Sequence, residues 1–84
     1  MNPEIIGKRI KILMINKGIK RNYLAKKLKI SYNTLTNKLN GKSEFSAIQM
    51  SMIKELFQMD DELSINVFFN PNFEINIDKE TKKV

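Results

Sequence analysis

Apolar positions recur at helical spacing along most of this chain. Ile6, Ile10, Leu13 and Met14 lie on one face of a first helix. Asn2 is placed to cap it, Pro3 suits its first position, Glu4 faces the positive dipole end, and Gly18 suits its close, which predicts a helix over residues 3–17. Leu24, Ala25 and Leu28 give the stripe of a short second helix over residues 21–28. Ser31 is a good N-cap for a third, in which Leu35 and Leu39 follow one turn apart and Asn40-Gly41 stops the element. Ser46 and Gln49 have the spacing of a capping box, and Ile48, Met52, Ile53, Leu56 and Phe57 make the expected face of a fourth helix.

The pattern is ambiguous after Asp60. Leu63, Ile65, Val67 and Phe69 alternate, as do Phe73, Ile75 and Ile77, with Asn70-Pro71-Asn72 between the two runs, which reads locally as a β-hairpin. Asp60 or Asp61 could instead cap a short fifth helix with Leu63, Val67 and Phe68 on one side. The chain thus divides into a helical unit over residues 1–70 and an extension over 71–84, strand or mobile tail, with "DKETKKV" at its end. The expected class is all-α, a compact bundle of four to five helices, with the C-terminal β segment left open.

Composition narrows the field. At 84 residues the chain makes one small domain, and a domain of this size buries only about 60% of its extended surface. Without Cys there is no disulfide framework, and without Cys or His the usual zinc ligands are missing; no metal and no cofactor are expected. No uninterrupted apolar run approaches the roughly 20 residues of a membrane span, and no secretory pattern opens the sequence, so the expectation is a reduced, cytoplasmic protein with no membrane partner.

Charge is unevenly spread. Residues 1–42 hold eleven Lys and Arg against one acid, Glu4, for +10; residues 43–84 hold four against eight, for −4. A basic half of this kind is the footprint of a nucleic-acid binder, although a lysine-rich solvated surface would look the same.

The second and third helices add a use for that charge. Each is too short to be stable alone in water, so both must be held by their neighbours. Two short helices joined by a tight turn form a helix-turn-helix, whose second helix enters the DNA major groove with its N-terminal residues against base edges. Lys and Arg find phosphates on any sequence, whereas amides and hydroxyls distinguish one base pair from another. Asn33 and Asn37 share a face of the third helix, with Tyr32 at its start and Thr36 nearby. Asn pairs with adenine and the Tyr and Thr groups can touch a thymine methyl, so an A·T-leaning site is expected. Around that face Arg21, Asn22, Lys26, Lys38, Lys42 and Ser43 are the candidates for gripping the backbone.

The stretch "IKRNYLAKKLKISYNTLTNKLNGKSEFS" resembles the Cro/C1-type helix-turn-helix family of phage repressors and XRE-like regulators, particularly small one-domain forms from prophages of Gram-positive bacteria. The resemblance is carried by Leu24-Ala25, Ile30-Ser31, Thr34-Leu35 and Asn40-Gly41-Lys42, and it extends over residues 5–69, where "FFN" resembles the end of such proteins' fifth helix. It therefore implies a helix over residues 62–69, a fold like the λ-repressor DNA-binding domain, base reading at Tyr32, Asn33 and Asn37, and a phosphate or base contact at Arg21. The chain departs from the pattern in having Lys20-Arg21 where the family often has Thr-Gln, and Lys29 where it usually has Gly.

The expected function is a transcriptional regulator, probed by no small-molecule effector, that binds an inverted-repeat operator on double-stranded DNA as a homodimer. Two neighbouring aromatics cannot readily both enter so small a core, so Phe68 and Phe69 are the candidates for the subunit interface. A competing reading keeps the helix-turn-helix shell for protein binding, as in an antitoxin or antirepressor. An enzyme is not expected: the acidic triplet at residues 60–62 lies between helices, where acids cap and solubilise.

Overall fold

The computed structural model describes residues 2–77 of the chain. Among the described residues five helices follow one another, α1 (Pro3–Lys17), α2 (Arg21–Leu28), α3 (Tyr32–Leu39), α4 (Ala47–Leu56) and α5 (Asp61–Phe69), and there is no strand. The local caps form as the side-chain chemistry dictates. Asn2 accepts from the Glu4 amide at 2.7 Å, Ser46 and Gln49 exchange both capping-box hydrogen bonds, and the Asp60 carboxylate accepts from the Leu63 amide at 2.8 Å.

A single core runs through the bundle, with Ile10, Leu24, Leu35, Leu39, Ile53, Phe57 and Val67 fully enclosed. α1 packs against both α3 and α5, and α2 packs against α3. Gly7 makes the first of these crossings possible. A methyl group on its Cα would lie 2.7 Å from the Leu39 carbonyl carbon, nearer still to the Leu39 oxygen, and 3.0 Å from that of Lys38. Just beyond α3, Gly41 takes a left-handed φ of 80° with the α1 backbone at Glu4 against its missing side chain. The C-terminal end of α3 is thus set directly on the first turns of α1.

The hairpin reading of the C-terminal region gives way to α5. Val67 and Phe68 are adjacent and both buried, whereas a strand would send them to opposite faces; Ile65 and Phe69, one turn apart, stay exposed. After Asn70 the chain turns, with the Asn70 side chain accepting from the Asn72 amide at 3.0 Å, and Phe73 and Ile75 lie half-buried against the core. The tail at residues 78–84 lies outside the described residues.

Arg9 holds this end of the chain in place. It is 4% exposed and, among the described residues, forms no ion pair; Nη1 donates to the Asn66 and Val67 carbonyls, each at 3.0 Å, and Nη2 donates to the Phe73 carbonyl. The guanidinium also lies 5.5 Å from the centre of the Phe73 ring. Asn66 and Val67 belong to the last turn of α5, where the Asn66 carbonyl also accepts from the Asn70 amide at 3.4 Å, and the carbonyls of this turn carry the negative end of the helix dipole, so a cation is well placed there. Burial pushes the Arg9 pKa down from its ordinary value, yet a guanidinium stays protonated in proteins.

One apolar position differs from the pattern-based expectation. Ile48 points to solvent, because at about 100° per residue it stands about 140° around α4 from the buried Ile53. Phe45, ahead of the helix, is buried instead, close to Ile6 and Met50. Ile5 is likewise turned outward, beside the buried Ile6.

Candidate nucleic-acid interface

The turn between α2 and α3 is built from local hydrogen bonds around a left-handed residue. Lys29, at φ 60° and ψ 41°, takes the conformation that glycine favours. Its amide donates to the Lys26 carbonyl and that of Ile30 to the Ala25 carbonyl, both at 3.1 Å, which satisfies the open end of α2. Ile30 then packs half-buried on the core, and Ser31 caps α3: its hydroxyl accepts from the Thr34 amide at 3.0 Å and donates to the Thr34 hydroxyl at 2.8 Å. Lys20, at the N-cap of α2, makes no side-chain capping bond.

These anchors decide which way α3 faces. Leu35 and Leu39 enter the core, so Asn33 and Asn37 stand exposed on the opposite side, while Tyr32, exposed in the first turn, and Thr36, half-buried, lie on the flank between the two faces. The whole outward surface of the helix is uncharged and polar at these positions. The C-terminal end of α3 is tied to α1, since Lys11 donates to the Asn40 side chain at 2.9 Å, and is closed locally by the Lys42 amide, which donates to the Asn37 carbonyl at 2.9 Å.

The candidates for backbone contact fall into two groups. Asn22, Lys26, Lys42 and Ser43 are exposed. Arg21 and Lys38 are already engaged. The Lys38 ammonium donates to the Glu44 carbonyl at 2.8 Å and so braces the loop after α3. Arg21 Nη1 donates to the Thr36 hydroxyl at 3.1 Å, and its guanidinium lies 5.7 Å from the centre of the Tyr32 ring.

On α5, Phe68 is 3% exposed and Phe69 65% exposed. The pair is split between core and surface, and a partner could reach Phe69 alone. In the acidic triplet, Asp60 caps α5 and Asp61 pairs with Lys54 at 3.1 Å. No group of three or more ligand-type residues is gathered at one place among the described residues, and none of the described helices is long and apolar enough to cross a membrane.

Two structurally important residues were not singled out by pattern. Arg9 reads as one more surface cation, although its spacing of three from Ile6 and four from Leu13 places it on the apolar stripe of α1. Gly7 reads only as a weak helix former, and its place inside a helix was the available signal of a close crossing.

No curated protein matches the chain, and no solved structure does. A family model described as the Cro/C1-type HTH DNA-binding domain matches residues 9–60, from within α1 to the cap of α5. That span is 52 of the 84 residues and includes both helices of the motif. The chain belongs to the Cro/C1-type helix-turn-helix DNA-binding domain family.

Proposed function

We propose that this DNA-binding protein is a sequence-specific transcriptional regulator of the phage or prophage repressor kind, bound as a homodimer to an inverted-repeat operator. The observation that carries the reading is the outward face of α3, where Asn33 and Asn37, flanked by Tyr32 and Thr36, supply amides and hydroxyls in the middle of a half with net charge +10. Asn33 and Asn37 read adenines in the major groove, and Asn22, Lys26, Lys42 and Ser43 hold the backbone on either side. Lys38, braced against Glu44, contributes charge at the rim.

A protomer measures 34 × 27 × 21 Å, which suits one half-site, and a second copy would place its α3 about 34 Å away, one helical turn along the duplex. Ile65 and Phe69, exposed one turn apart on α5, form the proposed contact between protomers. Regulation follows from occupancy alone: the bound dimer excludes polymerase or a rival regulator, and no catalytic step or small-molecule effector is invoked.

The exposed Ile65 and Phe69 also suit the second reading, in which the chain docks on another protein. Selection of a preferred duplex from a random library, followed by binding to the winner and a scrambled duplex at several salt concentrations, separates the two. A palindromic winner bound at least about a thousandfold more tightly than the scramble is expected. About five neutralised phosphates per protomer would give log K a slope near −4 to −5 per protomer against log salt. Weak, salt-sensitive binding with no enriched motif would overturn the operator reading in favour of a protein partner.

A further inference from the structure

Arg21 sits at the first position of α2, yet its side chain is held by α3. One guanidinium N–H goes to the Thr36 hydroxyl at 3.1 Å, and the group lies 5.7 Å from the centre of the Tyr32 ring. Both partners lie on the flank of α3, between its core face and the outward face that carries Asn33 and Asn37. The cation therefore stands at the edge of a polar reading surface, fixed by contacts from a second element.

From this geometry we infer that Arg21 is a base-reading residue that recognises a guanine in each half-site, with Thr36 and Tyr32 as its positioning residues. The inference rests on the operator reading of the same face and assigns it one further base. A guanidinium carries five N–H donors. Thr36 occupies one on Nη1, and among the described residues nothing accepts from the Nε–Nη2 edge, which can donate two parallel hydrogen bonds, the arrangement that guanine O6 and N7 accept. The Tyr32 ring supports the face of the group by a cation–π contact.

The restraint itself points to a directional target. A phosphate is a charge that a mobile lysine can find, and exposed Lys26 and Lys42 are available for it. Arginine has considerable rotamer freedom to lose on binding. Losing part of it in the free protein favours a contact that demands orientation as well as charge. The operator expected from Asn33 and Asn37 alone is A·T-leaning; Arg21 places a guanine within it.

The test starts from the selected operator. Each of its guanines is replaced singly by 7-deazaguanine, which keeps Watson–Crick pairing and removes the N7 acceptor. For the unaltered protein, replacement at one guanine per half-site is expected to weaken binding about tenfold. For Arg21→Lys, which keeps the charge and loses the fork, the same replacement should cost less than about twofold, with binding to scrambled DNA little altered. Tyr32→Phe should retain the full penalty, whereas Tyr32→Leu should reduce it, an effect that simple loss of contact area would spread over all base positions. Circular dichroism checks that each variant is folded, and Arg21→Gln serves as the second variant.

Equal 7-deazaguanine penalties in the unaltered protein and in Arg21→Lys would overturn the inference. So would a palindromic winner without guanine, or an Arg21→Gln variant that weakens cognate and scrambled DNA alike and lowers the salt slope by about one phosphate. In those cases the operator reading survives and Arg21 is a backbone contact. If the library yields no motif at all, the operator reading fails first and takes this one with it.

Discussion

Replacing Gly7 by Ala sets two physical effects against each other with opposite signs. Within a helix, Gly→Ala is favourable by about 1 kcal/mol, because alanine loses less backbone freedom on folding. In this fold the new methyl would meet the backbone at the end of α3, 2.7 Å from the Leu39 carbonyl carbon. Carbon atoms rest about 3.5–4.0 Å apart, so α1 and α3 must separate by roughly 1 Å. The obstacle is a peptide group held by the α3 ladder, with no side-chain rotamer to yield. Forced overpacking costs typically about 1–3 kcal/mol, and a backbone obstacle, with the packing of the fully buried Ile10, Leu35 and Leu39 disturbed around it, places Gly7 toward the upper end. After the helix-propensity gain the net loss is about 1–2 kcal/mol. For a domain of this size that lowers Tm by roughly 5–15 °C. Urea and thermal denaturation, with Lys8→Ala as the exposed control on the same helix, measure it directly. Since α3 would shift relative to α2, affinity for the selected operator should fall further than the loss of folded protein explains. An unchanged or raised Tm for Gly7→Ala would refute the close-crossing argument and leave helix propensity as the governing effect.

Other perturbations probe the turn, the C-terminal clamp and the surfaces. Lys29→Gly should raise stability by about 0.5–1 kcal/mol in urea denaturation, because relief at φ 60°, roughly 1–2 kcal/mol for a left-handed residue, exceeds the added unfolded-state entropy of glycine; a loss would mean that the Lys29 side chain compensates for its backbone. Arg9→Lys keeps a charge but cannot span the carbonyls of Asn66, Val67 and Phe73, and a loss of about 1.5–3 kcal/mol is expected, together with faster proteolysis in residues 70–77; wild-type stability would show that the fork contributes little. Asn33→Ala should cost about 1–3 kcal/mol on the selected operator and little on scrambled DNA, and an equal loss on both would make Asn33 a positioning contact. Phe69→Asp, on the exposed side of α5, should shift sedimentation toward monomer without lowering Tm of the isolated protomer; a dimer that persists would move the interface elsewhere.

The helix boundaries were legible in the residues because the interactions that make them are short-ranged. Caps at Asn2, Ser31, Ser46 and Asp60 act within three residues of themselves, and the apolar faces of α1 to α3 follow from spacing along one helix. The pair of short helices and the uncharged start of the second were visible for the same reason, and with them the resemblance to the family that matches residues 9–60. Alternation in residues 63–69 could not choose between strand and helix, since both patterns fit until something lies beside them. The choice is made when Val67 and Phe68 enter the core together and Arg9, 57 residues earlier than Asn66, takes the end of α5. Gly7, Ile48, Phe68 and Phe69 were equally undetermined, because their roles depend on which neighbour arrives at each face. The same holds for Arg21: its charge was plain from composition, but its direction is set by Thr36 and Tyr32 on a different helix. Periodicity and capping chemistry suffice to define helices and motif, whereas the destination of each cation and the closeness of each crossing arise only when segments distant in sequence are packed against one another.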